Sequence, residues 1–277
     1  MSFIDALSAM ANDSAPNRKE GDYIKDGLLY CGSCNTPKQT EIDLGGRVMK
    51  PYCMCQCETE RYKTEEKARR IELNRQQIAR NREIAFSDRD LQRCTFDADD
   101  GGNPQISKIA RNYVKNFKTF REDGKGLLLY GGTGTGKSFA AACIVNALLD
   151  KGVRAMMTNF PRLINTLSGM YEGKQAYIDD LNRYTLLVID DLAIERQTEY
   201  TAEIVQNVID SRYRAKKPLI ITTNISYNEI MHPEDIKKQR LYSRLKEICL
   251  MIEVKGKDRR EQIMENNITE LTKLLEL

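Results

Sequence analysis

The chain has 277 residues, 41% of them hydrophobic and 30% charged, with a mean hydropathy of −0.54; that is room for one medium domain and a small appendage, or two small domains, under a wetter surface than average. No run of about 18 apolar residues occurs, and the opening MSFIDALSAMANDSAP lacks a basic flank followed by an apolar stretch, so neither a membrane span nor a secretory signal is expected and the reading is cytoplasmic. Forty-three Lys and Arg against forty Asp and Glu leave a net +3, too balanced for bulk charge to single out a nucleic-acid binder.

In chain order, the first chemistry is carried by cysteine. Five of the eight cysteines, Cys31, Cys34, Cys53, Cys55 and Cys57, fall within 27 residues, as Cys-x-x-Cys followed by Cys-x-Cys-x-Cys. In a reducing compartment this spacing reads as a zinc site, because two short cysteine turns brought together by a hairpin supply four thiolates in a tetrahedron. Gly45-Gly46, between short β-compatible pieces, predicts that hairpin. Cys31 and Cys34 are expected ligands, and any two of Cys53, Cys55 and Cys57 could complete the set. A module of about 60 residues has a thin core, so such a metal would hold its fold together. The lone histidine, His232, lies in a polar MHPED stretch and is expected to face solvent.

Residues 61–93 are rich in helix formers and free of Gly and Pro, with ten basic against six acidic residues. Ala68, Ile71, Ile78 and Ala85 form only a narrow apolar stripe, which predicts a connecting helix, either plainly solvated or facing a partner or DNA.

Gly126–Tyr130 (GLLLY) is a strand, GGTGTGKS a glycine loop, and FAAACIVNALLD a helix. In the pattern G-x-x-x-x-G-K-S the loop runs through Gly131, Gly132, Thr133, Gly134, Thr135 and Gly136, and its glycines let backbone N–H groups approach phosphate oxygens. Lys137 adds charge for the β- and γ-phosphates, the Ser138 hydroxyl can ligate Mg²⁺, and Phe139 follows directly. Such a loop predicts a second buried strand ending in acid. Thr185–Ile189 leads into Asp190, the expected magnesium partner, and Asp191, placed to polarise the attacking water. A helix over 200–213 and a strand over 218–222 follow, with Asn224 at the strand's tip. Arg240 and Arg244 then lie four apart on a predicted helix, and Arg259 follows a last strand over 248–254. Strands alternating with helices predict a doubly wound α/β core with a parallel sheet and nucleotide at the carboxyl ends of the strands.

The ordered set GGTGTGKS, LLVIDDL, IITTN and QRLYSRL resembles the AAA+ ATPases of the bacterial helicase-loader clade, the DnaC and DnaI type within the IstB-like ATP-binding proteins. The resemblance spans about Thr95 to Arg260. It implies a P-loop AAA+ domain over 95–277, a basic helical linker over 61–94 and a zinc-ribbon-like, helicase-docking module over 1–60. It also implies ATP, Mg²⁺ and Zn²⁺ as cofactors, and a hexameric replicative DNA helicase, single-stranded DNA and further copies of the chain as partners. By motif, Asn224 takes the sensor 1 place, Arg244 (or Arg240) the arginine finger and Arg259 the sensor 2 arginine. Tyr171, Thr198 and Tyr200 occupy stretches comparable to the DNA-contacting ones. Many relatives carry Glu where Asp191 stands, which implies slow hydrolysis. The rival within the same core is a transposition helper ATPase; a replication initiator, a small-molecule kinase and a nucleotide-binding scaffold fit less of the pattern.

Overall fold

The computed structural model describes residues 18–46, 48–192, 199–233 and 235–259, together with residues 264, 268 and 272. The chain divides into two units, Met1–Gln76 and Gln77–Leu277. Among the described residues no helix is long and apolar enough to cross a membrane.

Paired turns build the first unit. Asp26 and Gly27, with φ of 49° and 73°, form the two-residue loop of an antiparallel hairpin between β1 (Tyr23–Lys25) and β2 (Leu28–Tyr30). A second hairpin joins β3 (Ile42–Asp43) to β4 (Val48–Met49) through Gly45 and Gly46, both at positive φ. The Asp43 carboxylate accepts the Gly46 N–H at 2.8 Å. This is the hairpin the glycine pair predicts. Apolar burial is sparse, and a charge sits where a larger domain keeps hydrocarbon. Lys38 is 1% exposed, its ammonium 2.8 Å from the Asp22 carboxylate and 3.7 Å from that of Glu58. Asp22 also accepts the N–H groups of Lys19 and Gly32, so this buried pair meets the condition for tolerable burial of charge. The Lys38 ammonium, helped by those N–H groups, holds the Asp22 carboxyl down at about 2.

Helix α1 (Gln56–Ala85) begins in the first unit and ends in the second. It starts earlier than the expected 61, at the cysteine cluster, where the Thr36 hydroxyl accepts the Gln56 N–H at 2.9 Å. It also stops short of 93, because the buried Phe86 turns extended and forms a parallel bridge with Met157 at the sheet edge. Only Ala85 on α1 is buried; Ile71, Leu73 and Ile84 are exposed, in keeping with a stripe too narrow to make a core element.

The second unit is a five-stranded parallel sheet in the order β6-β7-β8-β5-β9. The strands are β5 (Gly126–Tyr130), β6 (Ala155–Asn159), β7 (Leu186–Asp190), β8 (Leu219–Thr223) and β9 (Cys249–Glu253). Side chains alternate between faces, so Leu127 and Leu129 enter one core and Leu128 and Tyr130 the other. The first core packs under α2 (Pro104–Lys115), α3 (Phe117–Glu122) and α4 (Lys137–Asp150). The second lies under α5 (Phe160–Ser168), α6 (Lys174–Leu181), α7 (Glu199–Arg214), α8 (Tyr227–Met231) and α9 (Ile236–Ile248). Helices on both faces of an all-parallel sheet make this the doubly wound α/β architecture that the alternating strands and helices predict. Strand β8 runs between β5 and β7, and that order brings their three carboxyl tips side by side.

At the opposite end of the sheet Arg212 is 1% exposed. Its guanidinium donates to the carbonyls of Leu181 (3.4 Å), Tyr184 (2.9 Å), Thr185 (3.3 Å) and Pro218 (2.5 Å). One cation thereby ties the end of α6 to the approaches of β7 and β8, and its burial pulls its pKa down to about 10.

Candidate nucleotide site and metal centre

The glycine loop leaves β5 at Gly131 and enters α4 at Lys137. Gly131, Gly134 and Gly136 hold φ of 137°, 69° and 96°, values that a side chain opposes, and the resulting path exposes loop N–H groups ahead of the helix amino terminus. The Thr135 hydroxyl donates to the Gly132 carbonyl at 3.0 Å, which braces the turn. The Lys137 ammonium is buried against the loop, donating to the Gly131 carbonyl at 2.9 Å and the Gly132 carbonyl at 2.5 Å. An anion arriving at the loop meets a positive charge that is already positioned.

This loop forms one wall of a cleft of about 380 Å³. Its lining comprises residues 133–139, the tips of β7 and β8 at Asp190, Asp191 and residues 222–224, and Arg259. Lys137, Ser138, Asp190, Asp191, Asn224 and Arg259 are therefore brought together. The hydroxyl and carboxylate oxygens of Ser138 and Asp190 are the hard donors that magnesium takes, and the amide-lined loop suits a polyphosphate, so the lining fits both. Beside the cleft, Phe96, Ile106, Ala110, Phe139 and Cys143 line a small apolar recess that shares Gly136, Phe139 and Arg259 with it.

The acidic strand tip is held by a threonine inside the IITTN stretch to which the motif reading gives no role. Thr222, 1% exposed on β8, donates its hydroxyl to an Asp190 carboxylate oxygen at 2.5 Å and accepts the Asp191 N–H at 2.9 Å. Asp191 itself has φ of 56°, a left-handed conformation that is rare outside glycine and that Thr222 helps to hold. The next residue continues the lock: the Leu192 N–H donates to the Thr222 carbonyl, and the Thr223 hydroxyl donates to the Leu192 carbonyl.

Other expected residues stand elsewhere. Arg244 and Arg240 lie on α9 and do not line the cleft; Arg244 is ion-paired with Asp210 and Arg240 is exposed. Tyr171 is fully exposed before α6. Tyr200 on α7 is half exposed, its phenol oxygen 2.7 Å from the Lys174 ammonium, which pulls its pKa down. Thr198 lies outside the described residues. Arg259 is ion-paired with Asp100 at the cleft's edge.

In the first unit the sulfur atoms of Cys31, Cys34, Cys55 and Cys57 all lie within 4.8 Å of one another. A tetrahedron of Zn–S bonds of about 2.3 Å sets sulfurs about 3.8 Å apart. Cys31 and Cys57 are 3.6 Å apart and Cys55 and Cys57 3.3 Å, so the four thiols fit zinc. The Thr36 hydroxyl and the Cys57 backbone bring the Cys34 thiol down to about 5, and the backbone of Cys34 and Ser33 lowers Cys31. Such hydrogen bonds favour the thiolate at Cys31 and Cys34, whereas burial pushes the Cys55 thiol up. Cys53 stands outside the cluster: its N–H donates to the Lys38 carbonyl and its sulfur faces the Pro37 carbonyl at 3.6 Å. Cys53 is held beside residues 37 and 38 by these contacts, and the start of α1 at Gln56 brings Cys57 to within 3.3 Å of Cys55.

Compared with known proteins, a family model described as IstB-like ATP binding protein matches residues 60–266. The replicative helicase loader DnaI of Bacillus subtilis (strain 168) is 26% identical over 189 residues, 63% of this chain and 61% of that protein. The replicative helicase loader DnaC of Escherichia coli (strain K12) is 26% identical over 148 residues, 50% of this chain and 58% of its own length. The chain thus spans about 60% of the length of these curated relatives. A crystal structure of DnaI superposes with a TM-score of 0.53 at 23% identity, covering 65% of this chain and 99% of that one, a likeness of fold.

Proposed function

This chain belongs to the IstB-like ATP-binding protein family, and from that premise we propose that it is an ATP-dependent loader that binds a hexameric replicative helicase and delivers it onto single-stranded DNA. The observation that carries the reading is the meeting of Lys137, Asp190, Asp191 and Asn224 at three adjacent strand tips in one cleft. Similarity to the replicative helicase loaders DnaI and DnaC supports the loader part of the reading.

In this reading the loop N–H groups and Lys137 bind the β- and γ-phosphates of ATP, and Ser138 and Asp190 hold magnesium, which supplies charge neutralisation on the phosphate oxygens. Thr222 fixes the Asp190 carboxylate and the Asp191 backbone. The Asp191 carboxylate orients the attacking water, with the Asn224 amide beside it, and Arg259 faces the γ-phosphate after leaving Asp100. The shorter reach of aspartate at 191 implies slow turnover. Arg244, with Arg240 beside it, acts on the site of a neighbouring copy, where a guanidinium stabilises charge developing in the transition state. Zinc held by Cys31, Cys34, Cys55 and Cys57 keeps the first unit folded as the helicase-docking module. Tyr171, Thr198 and Tyr200 grip single-stranded DNA, which stimulates hydrolysis.

The test is to mix the purified chain with the replicative helicase of its host, with and without ATP, and weigh the complexes by native mass spectrometry. An ATP-responsive complex that transfers helicase to single-stranded DNA is expected. Absence of any complex, with ATP binding intact, would refute the loader reading and leave an ATPase serving another partner, such as a transposase.

A further inference from the structure

The segment that follows β9, Val254–Arg259, lies along the outer edge of the phosphate-binding loop. Two of the loop's glycines record the closeness of this strap. A Cβ at Gly131 would come within 2.5 Å of the Val254 carbonyl oxygen, and one at Gly134 would collide with the Asp258 carboxylate. The Arg259 N–H donates to the Gly134 carbonyl at 3.2 Å, so the backbone that presents the Arg259 guanidinium to the cleft is hydrogen-bonded to the loop.

Asn103 joins these parts. Its carboxamide nitrogen donates to the Thr135 carbonyl of the loop at 3.1 Å and to the Lys255 carbonyl of the strap at 2.9 Å. Its carboxamide oxygen accepts the Ile106 N–H as the cap of α2. All three hydrogen-bonding groups are thereby committed, each to a different element. Gly256 of the strap lies beside the same amide: a Cβ there would stand 3.4 Å from the Asn103 nitrogen, an ordinary contact. At the other end of the strap Asp100 pairs with the Arg259 guanidinium, which stacks close over Gly102. One short stretch, residues 100–103, thus grips the strap at both ends.

We infer that Asn103 is a positioning residue for the nucleotide site: it clasps the phosphate-binding loop to the strap, so that the loop and Arg259 respond to a bound triphosphate as one body. The inference deepens the nucleotide reading proposed above and rests on it. Asn103 itself need not touch the nucleotide. Its contribution is to keep Arg259 in register with the phosphates that Lys137 holds, and its loss therefore weakens ATP more than ADP.

Asn103→Ser tests this, because serine keeps the helix cap and removes both amide donors without adding charge. Dissociation constants for a non-hydrolysable ATP analogue and for ADP, measured by calorimetry beside thermal melting, are the readouts. The expected result is a roughly tenfold loss for the ATP analogue, about one net hydrogen bond's worth, with a smaller loss for ADP. A double-mutant cycle with Arg259→Ala separates positioning from mere support of the fold. With the clasp gone, removing Arg259 should cost much less than it does in the parent chain. Strictly additive losses, or equal losses for ATP and ADP, would overturn the inference. Should Asn103→Ser melt far below the parent, Asn103→Thr, which likewise keeps a cap acceptor, loses both amide donors and adds no charge, carries the same cycle. A parent chain that binds neither nucleotide would instead bring down the nucleotide reading itself.

Discussion

Thr222→Val is the perturbation that most cleanly separates the machinery of the acidic strand tip from its fold. Valine is close to threonine in shape at a position 1% exposed, so the change acts chiefly through the lost hydroxyl. Two hydrogen bonds go with it, one to the Asp190 carboxylate and one from the Asp191 N–H. A hydrogen bond to a charged group is worth about 1.5–3 kcal/mol, and the orphaned N–H adds to the loss only where water does not reach it. A destabilisation of about 2 kcal/mol follows, or about 4–8 °C in melting temperature for a unit of this size. Because the Asp190 carboxylate and the left-handed Asp191 backbone both lose their anchor, ATP turnover should fall on the order of tenfold to a hundredfold. Affinity for ATP, which rests on the loop and Lys137, should stay within about threefold. Differential scanning fluorimetry, a phosphate-release assay and a binding titration read the three quantities. A variant that melts lower yet hydrolyses ATP at the parent rate would refute the assignment and reduce Thr222 to a fold residue.

Three further outcomes are expected. Metal analysis after dialysis should find about one zinc per chain in the parent and in Cys53→Ser, and little in Cys55→Ser; the reverse pattern would overturn the ligand set. Arg212→Met should cost about 3 kcal/mol or more and lower the melting temperature by about 10 °C, since four carbonyls, those of the buried Leu181 and Pro218 among them, lose a common donor; an unchanged melting curve would contradict the clasp described for it. Asp22, held at about 2 in the folded chain against about 3.9 in an unfolded one, adds stability that is full above pH 4 and vanishes as pH falls towards 2. Asp22→Asn should therefore melt below the parent from pH 5 to 7 and converge with it near pH 2, and a gap independent of pH would refute the linkage.

The parts of the site that were legible in the sequence are those written locally. GLLLY-GGTGTGKS-FAAACIV carries strand, loop and helix in one run, and an apolar strand ending in Asp190-Asp191 needs no knowledge of its neighbours. The Gly45-Gly46 turn and the short cysteine spacings were readable for the same reason. What escaped is non-local. Thr222 acts on residues 31 and 32 positions away, and Asn103 reaches Lys255 across 152. Neither spacing leaves a periodicity, and threonine in a buried strand or asparagine before a helix has an ordinary local explanation. Nothing in the helical pattern over 200–213 sets Arg212 apart from other charges, and only the convergence of four carbonyls shows why it is inside. The choice among Cys53, Cys55 and Cys57 depended on where an extended stretch gives way to a helix, a boundary set by the Thr36 hydroxyl rather than by composition. The early end of α1 likewise depended on Phe86 finding Met157 at the sheet edge.

Calorimetric titration of magnesium–ATP into the full chain, beside the Lys137→Ala variant, reaches the centre of the account. The parent is predicted to take up one nucleotide per chain with heat that saturates, and the variant, folded by its melting curve, to bind about a hundredfold more weakly. Equal binding by both, or no uptake by the parent at about 1 mM ligand, would contradict the assignment of the cleft beneath the tips of β5, β7 and β8.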